Sequence, residues 1–337
     1  MSPGRRFLPK GLRNINDLSS FFQLGFNTWV FRWLPGWLSR SYLGALGRIY
    51  FHMDNNHRRS IQVSLATFAG ARKGLPSPGR LWPRVRAGII DHYHEKLTLG
   101  FSSYKKIKSH ALERIEVRGG EHLEQALAAG RGVIMVTGHF GAVEFLPGAL
   151  AFRGLPVTVM VHCKTPALRE RLEGFAAQAG TMLLDPKAQA TFFQAVDHLK
   201  RGRILMTQCD EISMWRPYPD RSLDFLGLRL RLDRSLDLLA RKSGAAVVFG
   251  LVHRLGRGRY RLALEPIAVP GQGARGELVS QACLTRLSEN IYANPAAWYE
   301  WKKLAQFIPT SSGAAVDEDS WLYGLPGRVA VPDSCRA

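Results

Sequence analysis

Hydrophobic and polar positions change texture once along this chain, near residue 113. Between Tyr42 and Ser109 apolar residues recur at helical spacing: Leu43, Leu46 and Ile49-Tyr50, then Ile61, Leu65 and Phe68. The breaker Pro76-Ser77-Pro78-Gly79 interrupts them, and a further helix is predicted over Leu81 to Phe101. After Glu113 short apolar runs alternate with amphipathic stretches, the mark of a parallel sheet covered by helices. Strands are predicted near 114–118, 132–137, 156–162, 181–184, 203–208, 245–252 and 258–265. Helices fall near 120–129, 142–152, 166–179, 188–201, 233–243 and 277–292. The fold class that follows is α/β, with a mainly parallel central sheet flanked by helices. Three regions follow as well: a helical, basic, membrane-associating stretch over 1–112, an α/β domain over 113–309, and a loosely ordered tail over 310–337.

Charge sharpens the reading of the first region. The chain of 337 residues carries a formal net charge of +19. Residues 1–115 hold 19 Lys or Arg against 5 Asp or Glu. Such segments attract nucleic acid or anionic membrane. Here the basic residues are interleaved with Phe21, Phe22, Phe26, Trp29, Phe31, Trp33 and Trp37, a density that suits a membrane interface better than nucleic acid. Leu18 to Ser39 has one charge, Arg32, and approaches the length of a span. Gln23, Asn27, Arg32 and Pro35-Gly36 favour an interfacial or re-entrant helix; a tilted span and a buried helix remain open. No cleavable signal peptide is read after Met1.

Several chemistries are set aside. Cys163, Cys209, Cys283 and Cys335 lack paired spacing, so neither a zinc site nor a disulfide framework is expected, and a reducing compartment is. Gly271-Gln-Gly273-Ala-Arg-Gly276 satisfies a dinucleotide fingerprint, but Pro270 sits where its strand would end, so it reads as a connector. Hydrolase elbows, zinc-peptidase motifs and phosphate loops are missing from the sequence. No cofactor or metal is called for.

The candidate chemistry lies at the end of the predicted 132–137 strand. The apolar run Val133 to Val136 meets a turn, Gly138-His139-Phe140-Gly141, and then Glu144. With His139 in the turn and Glu144 in the first turn of a helix, the two side chains can converge. A carboxylate on one imidazole nitrogen raises the basicity of the other, which can then deprotonate an alcohol. Gly138 and Gly141 suit a tight turn and close approach of substrate. Amides at the helix start suit an oxyanion or a phosphate. The plainer alternative is a structural histidine, with a glutamate placed by the helix dipole. Ligands of such sheets bind beyond the carboxyl ends of strands, and Asp210 follows the 203–208 strand as His139 follows its own.

Gly138-His-Phe-Gly-Ala-Val-Glu144 resembles the H-x4-D/E motif of the lysophospholipid acyltransferase superfamily. The closer likeness is to bacterial lipid A biosynthesis acyltransferases, the lauroyl and myristoyl transferases. Matching blocks run in order through Ile115–Gly141, Gly202–Glu211, Leu223–Gly227, Leu238–Val248 and Asn294–Lys303, and the likeness extends from about Leu34 to Pro309. It implies transfer of a fatty acyl group from a thioester, of acyl carrier protein or coenzyme A, to a hydroxyl of a lipid A precursor glycolipid. That setting is the cytoplasmic face of the bacterial inner membrane. His139 would be the base and Glu144 its orienting partner. Asp210 matches an acidic family position near the substrate, although the Gln that often follows it is Glu211 here. Arg169 and Arg171 fall where the family carries arginines suited to phosphate or carbonyl contacts. The Trp298–Lys303 block resembles a Trp-rich family block without its usual His and Arg, and reads first as a helix covering the core. Alternatives are acylation of another lipid, such as a lysophospholipid, glycolipid or amino lipid, and a non-catalytic membrane-binding module.

Overall fold

In the computed structural model the described residues are 36–163, 166–269 and 277–309, with the side chains of Trp37, 166–168 and Arg171 outside the description. The aromatic stretch before Gly36, the Gly271–Gly276 connector and the 310–337 tail therefore lie outside it.

Four helices come first: α1 (Gly36–Met53), α2 (Asn55–Ala71), α3 (Pro78–Phe101) and α4 (Tyr104–Glu113). Their starts are chemically marked. Asp54 accepts the His57 amide at the head of α2, Pro78 occupies the first turn of α3, and Ser103 accepts the Lys106 amide at the head of α4. There follow β1 (Ile115–Arg118), α5 (Gly120–Ala128), β2 (Val133–Thr137), α6 (Leu146–Ala151), β3 (Val157–Met160), α7 (Pro166–Gln178), β4 (Met182–Leu184), α8 (Thr191–Lys200) and β5 (Ile204–Gln208). A hairpin, β6 (Pro217–Phe225) and β7 (Leu228–Asp233), precedes α9 (Ser235–Ser243). The chain ends with β8 (Ala246–Gly256), β9 (Arg259–Ile267), α10 (Val279–Ala293) and α11 (Trp301–Leu304). All seven expected strands of the main sheet are present. The β6–β7 hairpin is an addition that the sequence reading left unassigned.

The main sheet has the order β1-β9-β8-β2-β5-β3-β4. β8, β2, β5, β3 and β4 run parallel to one another. β9 runs antiparallel to β8 and carries β1 with it. Two hydrophobic layers cover the faces, as period-2 alternation demands. Ile134 and Val136 face one layer with Leu205, Val247 and Phe249; Val133 and Met135 face the other with Ile204, Met206 and Val248. The first layer also takes Leu43, Phe51, Ile61, Leu65, Phe68 and Val85 from α1–α3, together with Trp298 and Trp301. Residue 113 thus marks a change of texture within one continuous core. No helix among the described residues is long and apolar enough to cross a membrane.

A buried ion pair clamps the helical layer to the sheet. Arg254, near the end of β8, makes two hydrogen bonds of 2.7 Å to the carboxylate of Glu95 on α3 and a third of 2.7 Å to the Gly141 carbonyl. Burial pushes the Glu95 carboxyl up, against the pull of Arg254, so its charge depends on this partner. Replacing Arg254 by Ala strands that carboxylate, and a cost of about 3–5 kcal/mol is expected. Thermal melting of the purified protein checks this: Arg254→Ala melts well below the parent, and Arg254→Met combined with Glu95→Leu recovers most of the loss.

Candidate active site

The parallel register of β2 and β5 builds the site. Thr137 pairs with Gln208, the last residue of each strand. Cys209 donates its amide to the Thr137 carbonyl, which carries the pairing one step further. Two residues beyond each strand stand His139 and Asp210, brought side by side. Asp210 Oδ1 lies 2.9 Å from His139 Nδ1, and Oδ2 accepts the His139 backbone amide at 2.9 Å. The Trp298 indole donates to Oδ2 at 2.8 Å. Asp210 is buried yet has three donors, and these are what offset its burial. Burial pushes its carboxyl up, but the imidazole and the three hydrogen bonds prevail and hold its pKa below the usual carboxylate value.

The far side of the imidazole is also acidic. His139 Nε2 is 3.2 Å from Glu211 Oε1 and 3.8 Å from Glu300 Oε1. Lys303 bridges those two acids, 3.3 Å from Glu211 and 3.1 Å from Glu300. Burial opposes the charged imidazolium, but Asp210, Glu211 and Glu300 outweigh it and hold the His139 pKa well above the ordinary imidazole value. Glu211 is held down at about 2, first by its hydrogen bond to His139. Both ring nitrogens of His139 therefore face carboxylates, Asp210 at Nδ1 and Glu211 at Nε2.

Glu144 is not the acid that meets His139. Residues 143–145 form a single 3-10 turn, and the helix proper, α6, starts only at Leu146 with Pro147 in its first turn. That turn aims Glu144 at α3, where its Oε1 lies 3.8 Å from His92 Nε2. The His92 ring is buried and stacks on Tyr299 at 3.6 Å and 13°. Tyr299 in turn meets the edge of His139, with centroids 5.3 Å apart at 89°. Two rings, His92 and Tyr299, thus stand between Glu144 and His139, and the acid on His139 Nδ1 is Asp210, where Glu144 was expected.

The two glycines flanking the histidine have packing reasons for being there. Gly141 has φ +62°, and a Cβ on it would run into the Val252 carbonyl. A Cβ on Gly138 would collide with the Leu287 side chain. The amides between them are engaged. Phe140 N donates to Gly138, Gly141 N to Ala297 and Ala142 N to Val252. With the His139 amide on Asp210, the amides of residues 139–142 are all engaged.

Arg169 lies on α7, half exposed, and pairs with Asp185 at 3.1 Å and more distantly with Glu173. Neither pairing brings it to His139. The side chain of Arg171 is outside the described residues. The Trp-rich block serves two ends at once. Trp298 and Trp301 are fully buried in the core, as the covering-helix reading implies, and Trp298 also supports Asp210. Glu300 and Lys303, from the same block, complete the charged ring around Nε2. Sequence reading assigned no role in this ring to Glu211, Glu300 or Lys303. Glu211 had the simplest available signal, since it directly follows Asp210. Among the described residues no cluster of His, Cys, Asp and Glu forms a metal site.

Comparison with known proteins fits this architecture. A profile of the family described as bacterial lipid A biosynthesis acyltransferase matches residues 19–304, most of the chain. A search of curated proteins finds no match. The matched span takes in β2, its histidine turn, Asp210 and the Trp-rich block, and on that span the chain belongs to the bacterial lipid A biosynthesis acyltransferase family.

Proposed function

We propose that this protein is a membrane-associated O-acyltransferase that moves a fatty acyl chain from an acyl thioester to a hydroxyl of a lipid A precursor glycolipid. The observation that carries the reading is the His139–Asp210 pair at the carboxyl ends of adjacent parallel strands, in a chain of that family. Asp210 accepts from Nδ1 and so fixes the tautomer that leaves Nε2 as the proton acceptor. Nε2 takes the proton of the acceptor hydroxyl as its oxygen attacks the thioester carbonyl. The tetrahedral intermediate then collapses, the C–S bond breaks, and the imidazolium returns the proton to the departing thiolate. The thioester is already activated, so no covalent enzyme intermediate is required. With the amides of residues 139–142 engaged, the Lys303 ammonium is the cation best placed to offset oxyanion charge.

Glu211 sits where the acceptor hydroxyl must approach Nε2, so substrate entry displaces it. Lys303, already 3.3 Å from Glu211, is a ready counter-ion for the displaced carboxylate. Membrane association rests on the basic first third of the chain and on α1, which exposes Ile49 and Met53 on either side of His52. The cytoplasmic face of the inner membrane, with acyl carrier protein or coenzyme A bringing the acyl group, suits both.

Two measurements test the reading. His139→Ala abolishes acyl transfer, followed as thiol release and by mass spectrometry of the lipid product, without lowering the melting temperature by more than a few degrees. Asp210→Asn keeps the shape but loses the charge, and kcat falls by roughly 10²- to 10⁴-fold, the usual worth of a positioned base. Undiminished transfer by His139→Ala sinks the mechanism. The second measurement is a pH profile. The base must be neutral, so kcat/KM climbs with pH through a His139 pKa above 6.5. Glu211→Gln removes an acid that favours the imidazolium and moves this limb to lower pH. A limb that stays in place overturns the assigned role of Glu211.

A further inference from the structure

Beside the catalytic turn the structure holds a polar cleft that the proton-transfer chemistry does not use. Its volume is about 230 Å³. Arg84, Asp91, Phe140, His253 and Arg254 line it, with backbone from Ala296 and Ala297. Its walls are the elements that carry the active site. Phe140 follows the base in sequence, Arg254 holds the Gly141 carbonyl, and Ala297 accepts the Gly141 amide. On α3, Gly88 carries the Ala296 carbonyl where any Cβ would collide. One helical turn further on, His92 carries the Tyr299 ring that borders His139.

The charges in the cleft do not cancel. Asp91 is neutralised in place by Arg40, whose guanidinium makes hydrogen bonds of 2.7 and 2.8 Å to both carboxylate oxygens. Arg254 is likewise matched by Glu95. Arg84 alone among the lining charges has no acid partner among the described residues, and it is exposed at the cleft. His253, edge-on to Phe140 at 5.5 Å, adds a ring able to donate or accept. A planar guanidinium without an acid, facing a polar cavity beside a protonatable ring, is suited to a phosphate.

We infer that this cleft is a phosphate subsite, with Arg84 as its principal anchor, for a phosphorylated group of one of the two substrates. The inference deepens the acyl-transfer reading and rests on it for the identity of those substrates. Two sources share the chemistry: a sugar phosphate of the acceptor headgroup, and the phosphopantetheine arm of the thioester donor.

Ligand-observed NMR on the full-length protein in nanodiscs tests the inference, with glucosamine 1-phosphate and 4′-phosphopantetheine as probes and glucosamine and pantetheine as their unphosphorylated controls. At least one phosphorylated probe is expected to bind, with its control markedly weaker; which one binds identifies the source. Arg84→Ala should weaken that binding by about tenfold or more, as loss of a charge-assisted hydrogen bond implies, and Arg84→Lys should restore part of it. In turnover, Arg84→Ala should raise KM for the corresponding substrate more than it lowers kcat. Absence of binding by both phosphorylated probes overturns the inference, as does binding that Arg84→Ala leaves unchanged. The probes need no proton transfer, so His139→Ala should still bind them. Arg84-dependent binding in a protein that transfers no acyl group would leave the subsite standing and remove the enzymatic reading alone.

Discussion

The parallel pairing of β2 with β5 is the constraint from which the rest of the site follows. Thr137 and Gln208 close the two strands at the same level, so equal offsets of two residues place His139 and Asp210 within hydrogen-bonding distance. A one-residue slip would turn one of the two side chains to the opposite face. Such a slip would also move one of Val136 and Leu205 out of the layer they share.

Burial gives the site its electrostatic character. An imidazole taken out of water ordinarily loses its charge, as His92 does: burial, with help from nearby Lys96 and Arg254, depresses it well below the usual value. His139 is equally enclosed but has Asp210 against one nitrogen and Glu211 and Glu300 against the other, and it moves the opposite way. These two imidazoles lie on either side of Tyr299, which has one ring stacked on it and the other meeting it edge-on. Their pKa values move in opposite directions, and only His139 has an acid on each nitrogen. That contrast separates the base from its neighbour more firmly than position in the motif does.

The sheet was legible because its strands are short apolar runs between amphipathic helices, and all seven lie within about two residues of their expected starts. The β6–β7 hairpin was not assigned, although Leu228-Arg-Leu-Arg-Leu-Asp233 alternates in burial as an amphipathic strand should. Leu226 and Gly227, both at positive φ, make its turn, and a leucine there is a weak local signal for that geometry. The histidine was legible from its place between two glycines at a strand end. Its partner was misassigned because a spacing of five residues was read on an ordinary helix beginning near Gly141, and the backbone there is a 3-10 turn instead. Asp210 was marked by its place after β5, but which acid reaches an imidazole is a matter of side-chain direction. Glu300 and Lys303 arrive from the far end of the chain, where no local pattern announces an encounter with His139.

The segment that brings them explains why the C-terminal block belongs to the catalytic unit. Residues 294–300 run past the carboxyl ends of β2 and β5 like a strap. Ala297 accepts the Gly141 amide, the Tyr299 amide donates to the His139 carbonyl, and the Trp298 indole fixes Asp210. The strap is anchored below by Trp298 and Trp301, neither of which meets solvent, and by Ser64 of α2 donating to the Trp301 carbonyl. The helical layer, the sheet and the strap thus meet at one turn, and the backbone on both sides of the base is held from three directions. The side chains of Glu211 and Lys303 stay partly exposed and hold each other at 3.3 Å. The hydrogen bonds of the strap thus converge on the backbone of His139 and on Asp210, while Glu211 and Lys303 face the partly open side of the ring.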